Sequence, residues 1–341
     1  MLNRVTAIIF SACLILGGAA VLDAKPARAQ QMTDITFAND FIILGRHAPL
    51  FTALEKGYYK EEGLNVKIVP TNGTAAAIQM VESGAAQLGF IDVPSLVIAR
   101  ANGASLKVVS VIYQKAPFTI FSLDPGANVA KLSDLEGLEI GTGSGSFVSN
   151  IAKAMMRKNN LDPNKLKTIN VEPSARVAML ASRKIPSVDF YIMSKPGIER
   201  AVKGAKVRSL LLADFGLDLY SNGIGAKESY LKEHPDIVKK FVRATLRGYQ
   251  YAFKHKKEAA EFARRTAKAL NDDITVDELN IVEDLSVTPD VKKNGLGHFT
   301  AERMKSSVQW MVENAGFPKE KAPKPEDVYA TGFMPAKPIM P

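Results

Sequence analysis

Three short stretches combine polar, aromatic and glycine residues in patterns that suit the binding of a small molecule. Residues 39–48 read NDFIILGRHA and place a histidine just before a predicted helix. Residues 140–147 read IGTGSGSF, a predicted strand end followed by a turn rich in glycine and hydroxyl groups. Residues 188–193 read VDFYIM and end a third predicted strand. Each stretch is therefore a candidate wall of a ligand site.

The glycine-rich turn at 140–147 has two interpretations. Its glycines let backbone N–H groups point inward, and the following helix adds partial positive charge at its N-terminus. The hydroxyls of Thr142, Ser144 and Ser146 either hold a polar ligand or only cap the helix. The spacing is G-x-G-x-G rather than G-x-G-x-x-G, and no suitably placed acid follows the next strand. These two features argue against a dinucleotide site.

His47 has three open interpretations: a satisfied histidine at a helix start, a ligand contact, or a metal ligand or catalytic base. The chain has 4 histidines, none with the spacing of a zinc-binding motif, and no G-x-S-x-G occurs. Asp189 is suited to accept a donor from an amine or heterocycle, or caps the next turn. Tyr191 is suited to stack on a ring. Ser95 follows another predicted strand and is a further candidate contact.

The elements that position these stretches alternate between short apolar strands and longer helical patterns. This alternation predicts an α/β fold with mostly parallel sheets and helices on both faces. Two such series of similar size meet near Asp124-Pro125-Gly126. They predict two lobes with a cleft between them, and ligands in such folds bind beyond the carboxyl ends of the strands.

Composition and the first residues of the chain narrow the functional class. Val5 to Leu22 are almost all apolar or small, and Ala27-Arg28-Ala29 follows, which predicts a signal peptide cleaved after Ala29 and a periplasmic protein. The only cysteine, Cys13, lies in this leader, so the mature chain is expected to have no disulfide and no thiol chemistry. The net charge of +9 is spread along predicted helices, which argues against nucleic-acid binding.

Four stretches resemble the periplasmic substrate-binding proteins of ABC importers, within the group of nitrate, sulfonate, taurine and thiamine-pyrimidine-precursor binders. They are HAPLFTALEKGYYKEEGLNVKIV, IQMVESGAAQLGFIDVPSLVIARANG, LKVVSVIYQKAPFTIFSL and KLSDLEGLEIGTGSGS. The resemblance spans about residues 33–320. It implies a two-lobed (type II, Venus-flytrap) fold with crossing segments near 121–125 and 219–223. The implied division is a signal peptide at 1–29, lobe 1 at 30–122 plus 223–320, lobe 2 at 123–222, and a Pro-rich tail at 321–341.

Pyrimidine-binding members of this group carry D-W-x-P-N-x-x-H-A in the first turn. Here Asp40, Phe41 and His47 match the acid, one aromatic and the histidine, whereas Ile43 and Leu44 replace the proline and the asparagine. The resemblance implies that His47 lies at the rim of the cleft and that Phe41 offers a stacking surface. The related synthases carry a cysteine-rich run and perform iron-dependent chemistry. A mature chain without cysteine is not expected to share that activity.

We therefore expect a monomeric, non-enzymatic solute receptor that needs no cofactor and no metal. Its solute would be a nitrogen heterocycle or an organic anion such as a sulfonate or carboxylate, delivered to the transmembrane subunits of an ABC permease. The expected contacts come from both lobes: Asn39, Phe41, His47 and Ser95 on one wall, and Thr142, Ser144, Ser146, Asp189 and Tyr191 on the other. The alternatives are a pyrimidine-synthesis-type enzyme, a partner that presents its ligand to a membrane sensor, and a secreted interaction module with an empty cleft.

Overall fold

The computed structural model describes residues 32–143, 146, 148–315 and 317–341, so the predicted signal peptide and Ser144 lie outside the described residues. Strands in this part of the chain form two five-stranded sheets. In chain order the strands are β1 Thr33–Ala38, β2 Leu64–Val69, β3 Leu88–Asp92, β4 Leu106–Val111, β5 Phe118–Asp124, β6 Glu139–Thr142, β7 Lys167–Asn170, β8 Ser187–Tyr191, β9 Lys206–Leu211 and β10 Asn222–Lys227.

The two sheets have the same plan. The first sheet has the order β2-β1-β3-β10-β4 and the second the order β7-β6-β8-β5-β9. In each sheet one strand, β10 or β5, runs antiparallel to both of its neighbours. The sheets are therefore mixed rather than purely parallel, because each antiparallel strand is the one by which the chain arrives from the other sheet. The predicted α/β class is confirmed.

The helices connect and flank these strands. In chain order they are α1 Ala48–Glu55, α2 Tyr58–Glu61, α3 Thr74–Glu82, α4 Val93–Ala101, α5 Val148–Lys158, α6 Pro173–Ala181, α7 Lys195–Ala201, α8 Glu228–Glu233, α9 Pro235–Lys254, α10 Lys256–Thr266, α11 Asp272–Ser286, α12 Pro289–Asn294, α13 Ala301–Asn314 and α14 Pro325–Val328. In α9 the residues at 238, 241, 242, 245, 246 and 249 are buried while the opposite face is solvated. This is the 3.6-residue period of an amphipathic helix packed on a core.

The chain crosses between the sheets twice, between β4 and β5 and between β9 and β10. The two crossing segments are hydrogen-bonded to each other, since the backbone N–H of Tyr113 donates to the carbonyl of Asn222 and that of Ser221 donates to the carbonyl of Tyr113.

The structure corrects one lobe boundary. All of β5 pairs with strands of the second sheet, so residues 118–122, which the sequence placed in lobe 1, join the second sheet. The remaining lobe boundaries stay a prediction. Below, each lobe means one sheet with the helices packed on it.

The C-terminal segment packs along the outer edge of the first sheet. Tyr329 forms an isolated parallel bridge with Val108 of β4, and the Ala330 N–H donates to the Val108 carbonyl. Further along, the Gln250 amide donates to the carbonyl of Met340. The contacts with Val108 cover part of the edge strand β4, which would otherwise offer unpaired backbone groups to other chains. Across the part of the chain that the structure describes, no helix combines the length and the apolar character that crossing a membrane requires.

Candidate functional site

A cleft lies between the two lobes, where the ends of β1, β3, β6 and β8 approach one another. It encloses a cavity of about 110 Å³. The lining residues come from both lobes: Asp40, Phe41, Leu44, Arg46, Asn72, Gly73, Thr74, Ala75, Ala76 and Ser95 from the first, and Gly143, Ser146, Val148, Arg176, Asp189, Phe190, Tyr191 and Ser194 from the second.

On the first wall, the carboxylate of Asp40 organises a buried cluster. Its Oδ2 accepts hydrogen bonds from Arg46 Nη1 and from Asn222 Nδ2, both at 2.9 Å, and its Oδ1 lies 2.9 Å from His47 Nε2. Burial opposes ionisation of Asp40, but the charge of Arg46 and the bond to His47 hold its pKa below the usual value. The cluster therefore fixes Arg46, whose guanidinium lines the cleft, by an ion pair with side chains only 3% and 1% exposed.

His47 supports this cluster from behind the cleft wall. Its Nδ1 accepts the backbone N–H of Leu44 at 3.0 Å, so the proton of the neutral ring is on Nε2, which donates to Asp40. Burial and then the neighbouring Arg46 charge lower the pKa of His47 to about 4. The imidazole is consequently neutral at pH 7. It holds the turn at residues 44–47 and the Asp40 carboxylate in one arrangement.

Glu278 of α11 fixes the same turn from the other side. Its Oε2 accepts the backbone N–H of Arg46 at 2.8 Å. A Cβ placed on Gly45 would lie 2.7 Å from Thr275 Oγ1, so the turn can approach α11 this closely only because residue 45 is glycine. Arg46 is thus held through its backbone by Glu278 and through its side chain by Asp40.

On the second wall, Asp189 of β8 organises a matching cluster. Its Oδ2 accepts hydrogen bonds from Thr142 Oγ1 at 2.7 Å and Ser146 Oγ at 2.6 Å, and its Oδ1 accepts Arg176 Nη1 at 2.9 Å. Arg176 also donates through Nε to the carbonyl of Val171. Burial raises the pKa of the Asp189 carboxyl, and the Arg176 charge and the two hydroxyls oppose that rise. This cluster presents a second guanidinium to the cleft.

Aromatic rings join the two walls. Phe41 of the first lobe meets Phe190 of the second edge-to-face, with ring centroids 6.1 Å apart. The guanidinium of Arg176 lies 5.8 Å from the Phe41 centroid, and that of Arg46 lies 4.8 Å from the Tyr191 centroid. Each arginine therefore contacts an aromatic ring of the opposite lobe, at distances typical of cation–π pairs. The cleft offers apolar ring faces bordered by charges that are already paired.

The sequence predictions for the site fall into three groups. Five predicted residues line the cleft: Phe41, Ser95, Ser146, Asp189 and Tyr191. Three others are buried beside it rather than lining it: Asn39, whose amide donates to the carbonyl of Phe41, His47 beneath Asp40, and Thr142 on Asp189. Ser144 lies outside the described residues. Whether the lining residues bind a solute stays a prediction.

Sequence reasoning missed several lining residues. Arg176 lies on α6, where nothing in the local pattern distinguishes it from a solvated helix residue. Thr74 begins α3 after Asn72-Gly73, and this Asn-Gly turn was the one usable signal. Arg46 was not among the expected contacts, and it is buried and lines the cleft. Among the described residues, no group of three or more His, Cys, Asp or Glu side chains is arranged to hold a metal ion.

Comparison with known proteins agrees with this architecture. The riboflavin-binding protein RibY of Chloroflexus aurantiacus is 30% identical over 248 residues, 67% of this chain and 66% of that protein. The formylaminopyrimidine-binding protein of Halalkalibacterium halodurans is 27% identical over 271 residues, 78% of this chain and 80% of that protein. A 4-amino-5-hydroxymethyl-2-methylpyrimidine phosphate synthase of Candida albicans is 23% identical, over 66% of this chain and 69% of the enzyme. The relatives thus include both binding proteins and synthases.

Among solved structures, the alkanesulfonate-binding protein SsuA of Xanthomonas axonopodis pv. citri, bound to MOPS, superposes with a TM-score of 0.69. It is 14% identical, and the superposition covers 88% of this chain and 98% of that protein. At this identity the similarity shows the fold alone, which is the two-lobed periplasmic-binding-protein fold predicted from the sequence. The family model described as NMT1/THI5 like matches residues 45–259, well over half of the chain. The chain therefore belongs to the NMT1/THI5-like family.

Proposed function

We propose that this chain is a periplasmic solute-binding receptor that captures a small nitrogen heterocycle between its two lobes. It would deliver the solute to an ABC-type permease and perform no chemistry of its own. One observation supports this most strongly: a cleft whose two walls each carry an aromatic surface and a buried, paired arginine. The predicted leader and the binding proteins among its relatives support the same role.

The charge balance of the cleft favours a heterocycle over an organic anion. Arg46 is paired with Asp40 and Arg176 with Asp189, each at 2.9 Å. An anion such as a sulfonate would have to compete with these buried carboxylates for the guanidinium groups, and breaking a buried pair is costly. An uncharged ring needs only the aromatic faces of Phe41, Phe190 and Tyr191 and a few hydrogen bonds. The pairs can stay intact while such a ring binds.

Closure of the lobes would provide the signal that the permease reads. Solute contacts from both walls favour the closed form, because a ligand shifts a conformational equilibrium by its difference in affinity for the two states. The crossing segments between the sheets are hydrogen-bonded to each other, which suits a hinge. We propose that the closed, solute-bound monomer docks on the permease.

A thermal-shift screen tests this function. The panel contains riboflavin, aminopyrimidines, taurine, MOPS and nitrate, each against the mature chain. A ligand at 100 times its Kd stabilises the folded protein by about 2.7 kcal/mol, which such a screen detects. We expect a nitrogen heterocycle to raise the melting temperature and the anions to leave it unchanged. A shift with taurine or MOPS but with no heterocycle would overturn the proposed solute class, and no shift at all would overturn the receptor function.

The synthases among its relatives support a second candidate, a pyrimidine-synthesis-type enzyme. Purified protein with a pyridoxal-phosphate absorbance band, or turnover of any pyrimidine precursor, would favour the enzyme. Stoichiometric binding without turnover would favour the receptor.

A further inference from the structure

Asp92 is a fully buried carboxylate with one unused oxygen. It ends β3 and caps α4, where its Oδ1 accepts the backbone N–H of Ser95 at 2.7 Å. Within the described residues its Oδ2 has no hydrogen-bond partner, and no ion pair includes Asp92. A buried carboxylate oxygen without a donor is costly for the folded state. An oxygen of this kind is therefore expected to gain a partner when the protein functions.

Asp92 lies directly behind residues that line the cleft. Ser95 and Thr74 line the cleft, and their hydroxyls lie close enough to Asp92 to favour its charged form. Tyr191 faces Asp92 from the opposite lobe. Burial is the largest cause that raises the pKa of the Tyr191 phenol, and the charge of Asp92 is the second largest. We expect that separation of the lobes moves Tyr191 away from β3 and gives a solute access to the Asp92 carboxylate behind Thr74 and Ser95.

We infer that Asp92 is a solute-binding residue whose Oδ2 accepts a hydrogen bond from an amino or ring N–H group of the solute. This inference rests on the proposed receptor function and adds the chemistry of one solute edge. Among the residues that the structure describes, no cation pairs with Asp92, unlike Asp40 and Asp189. It therefore favours a solute that brings a donor and disfavours one that brings an anionic group.

The protonation state of Asp92 is compatible with this role. Burial, together with the nearby charge of Asp40, raises its pKa to about 6, while Thr74 and Ser95 oppose the rise. At pH 7 the carboxylate form predominates, and it offers an acceptor rather than a proton. A hydrogen bond from the solute to this charged oxygen is stronger than one between neutral groups.

The test compares Asp92→Asn with Asp162→Asn. Asparagine at 92 keeps an oxygen for the Ser95 N–H. It places an NH2 group where Oδ2 was, and this donor cannot accept a hydrogen bond from the N–H of the solute. Asp162 is a matched control, because it is an exposed aspartate whose Oδ1 likewise caps a turn, accepting the Asn164 N–H at 2.9 Å. The probes are 4-amino-5-hydroxymethyl-2-methylpyrimidine, riboflavin and their N-methylated forms without the relevant N–H, titrated by calorimetry at pH 7.

For the probe that the wild type binds, we expect Asp92→Asn to weaken binding roughly 10- to 100-fold, the usual effect of losing a hydrogen bond to a charged group. Asp162→Asn should leave the affinity unchanged. Methylation should weaken binding to the wild type by a similar factor and have little further effect on Asp92→Asn. If that variant does not fold, the methylated probes on the wild type decide the question.

Two results would overturn the inference while leaving the receptor function intact. One is equal affinity of Asp92→Asn and the wild type for the same probe. The other is tight binding of a solute whose methylated form, lacking the N–H, binds the wild type equally well. Failure of every probe to bind the wild type would instead remove the proposed function, and the inference with it.

Discussion

Replacing Asp40 by asparagine tests whether one buried carboxylate holds the charge of Arg46 at the cleft. Asp40 accepts hydrogen bonds from Arg46, His47 and Asn222, and its side chain is 1% exposed. Asparagine has nearly the same volume but no charge, and its NH2 group faces donors instead of accepting from them. Removing one partner of a buried ion pair typically costs about 3–5 kcal/mol. We expect the free energy of unfolding of Asp40→Asn to fall by about that amount.

The assay is urea denaturation followed by circular dichroism at pH 7. Asp236→Asn is the matched control, because Asp236 is 86% exposed and pairs with Lys239 at 3.6 Å. Removing such a surface pair should change the free energy of unfolding by less than about 1 kcal/mol. The reasoning is refuted if Asp40→Asn loses no more stability than Asp236→Asn. That result would mean that Arg46 does not depend on Asp40 in the folded protein.

Three further predictions follow from the same contacts. Burial raises the pKa of Glu278 from 4.5 to about 7. Its protonated form therefore contributes stability that is fully present below about pH 4.5 and is lost as the pH rises through 7. Relative to the wild type, Glu278→Gln should gain roughly 3 kcal/mol between acidic and neutral pH, measured by urea denaturation. Gly45→Ala should lose about 1–3 kcal/mol in the same assay, because its Cβ meets Thr275 Oγ1 at 2.7 Å. Phe190→Leu removes the edge-to-face contact with Phe41 and should weaken solute binding by roughly 2- to 10-fold in calorimetry.

Each of these predictions has a contradicting result. A stability difference between Glu278→Gln and the wild type that stays constant with pH would show that this carboxyl does not titrate in that window. A fully stable Gly45→Ala protein would mean that the turn and α11 are not in close contact. Unchanged solute affinity in Phe190→Leu would place the ring-binding surface elsewhere.

Residues at strand ends were predictable from the sequence because the carboxyl ends of strands meet at the same edge of a sheet. Phe41, Ser95, Asp189 and Tyr191 all line the cleft for this reason. Arg176 was not predictable: it lies on α6, the helix that directly precedes β8, and its contact with Asp189 depends on how that helix packs against the strand. The sequence pattern of a helix shows which of its faces is buried. It does not show which side chain of another helix or strand a residue on that face will contact.

The role of His47 shows a second limit of the sequence. Its position before α1 was predicted, but its three interpretations differ only in the partners of the two ring nitrogens. Those partners, the Leu44 N–H and the Asp40 carboxylate, depend on the shape of the turn. Likewise, residues 118–122 were assigned to lobe 1, whereas the sheet that β5 joins depends on its pairing with β8 and β9, about 70 to 90 residues away.

The most direct measurement is a crystal structure of the mature chain grown with the heterocycle that gives the largest thermal shift. We expect the ring in the interlobe cleft, in contact with Phe41 and Tyr191, with the pairs Asp40–Arg46 and Asp189–Arg176 intact. A ring bound instead in the separate groove lined by Lys115, Asp214 and Arg303, with the cleft unoccupied, would show that the solute site is not between the lobes.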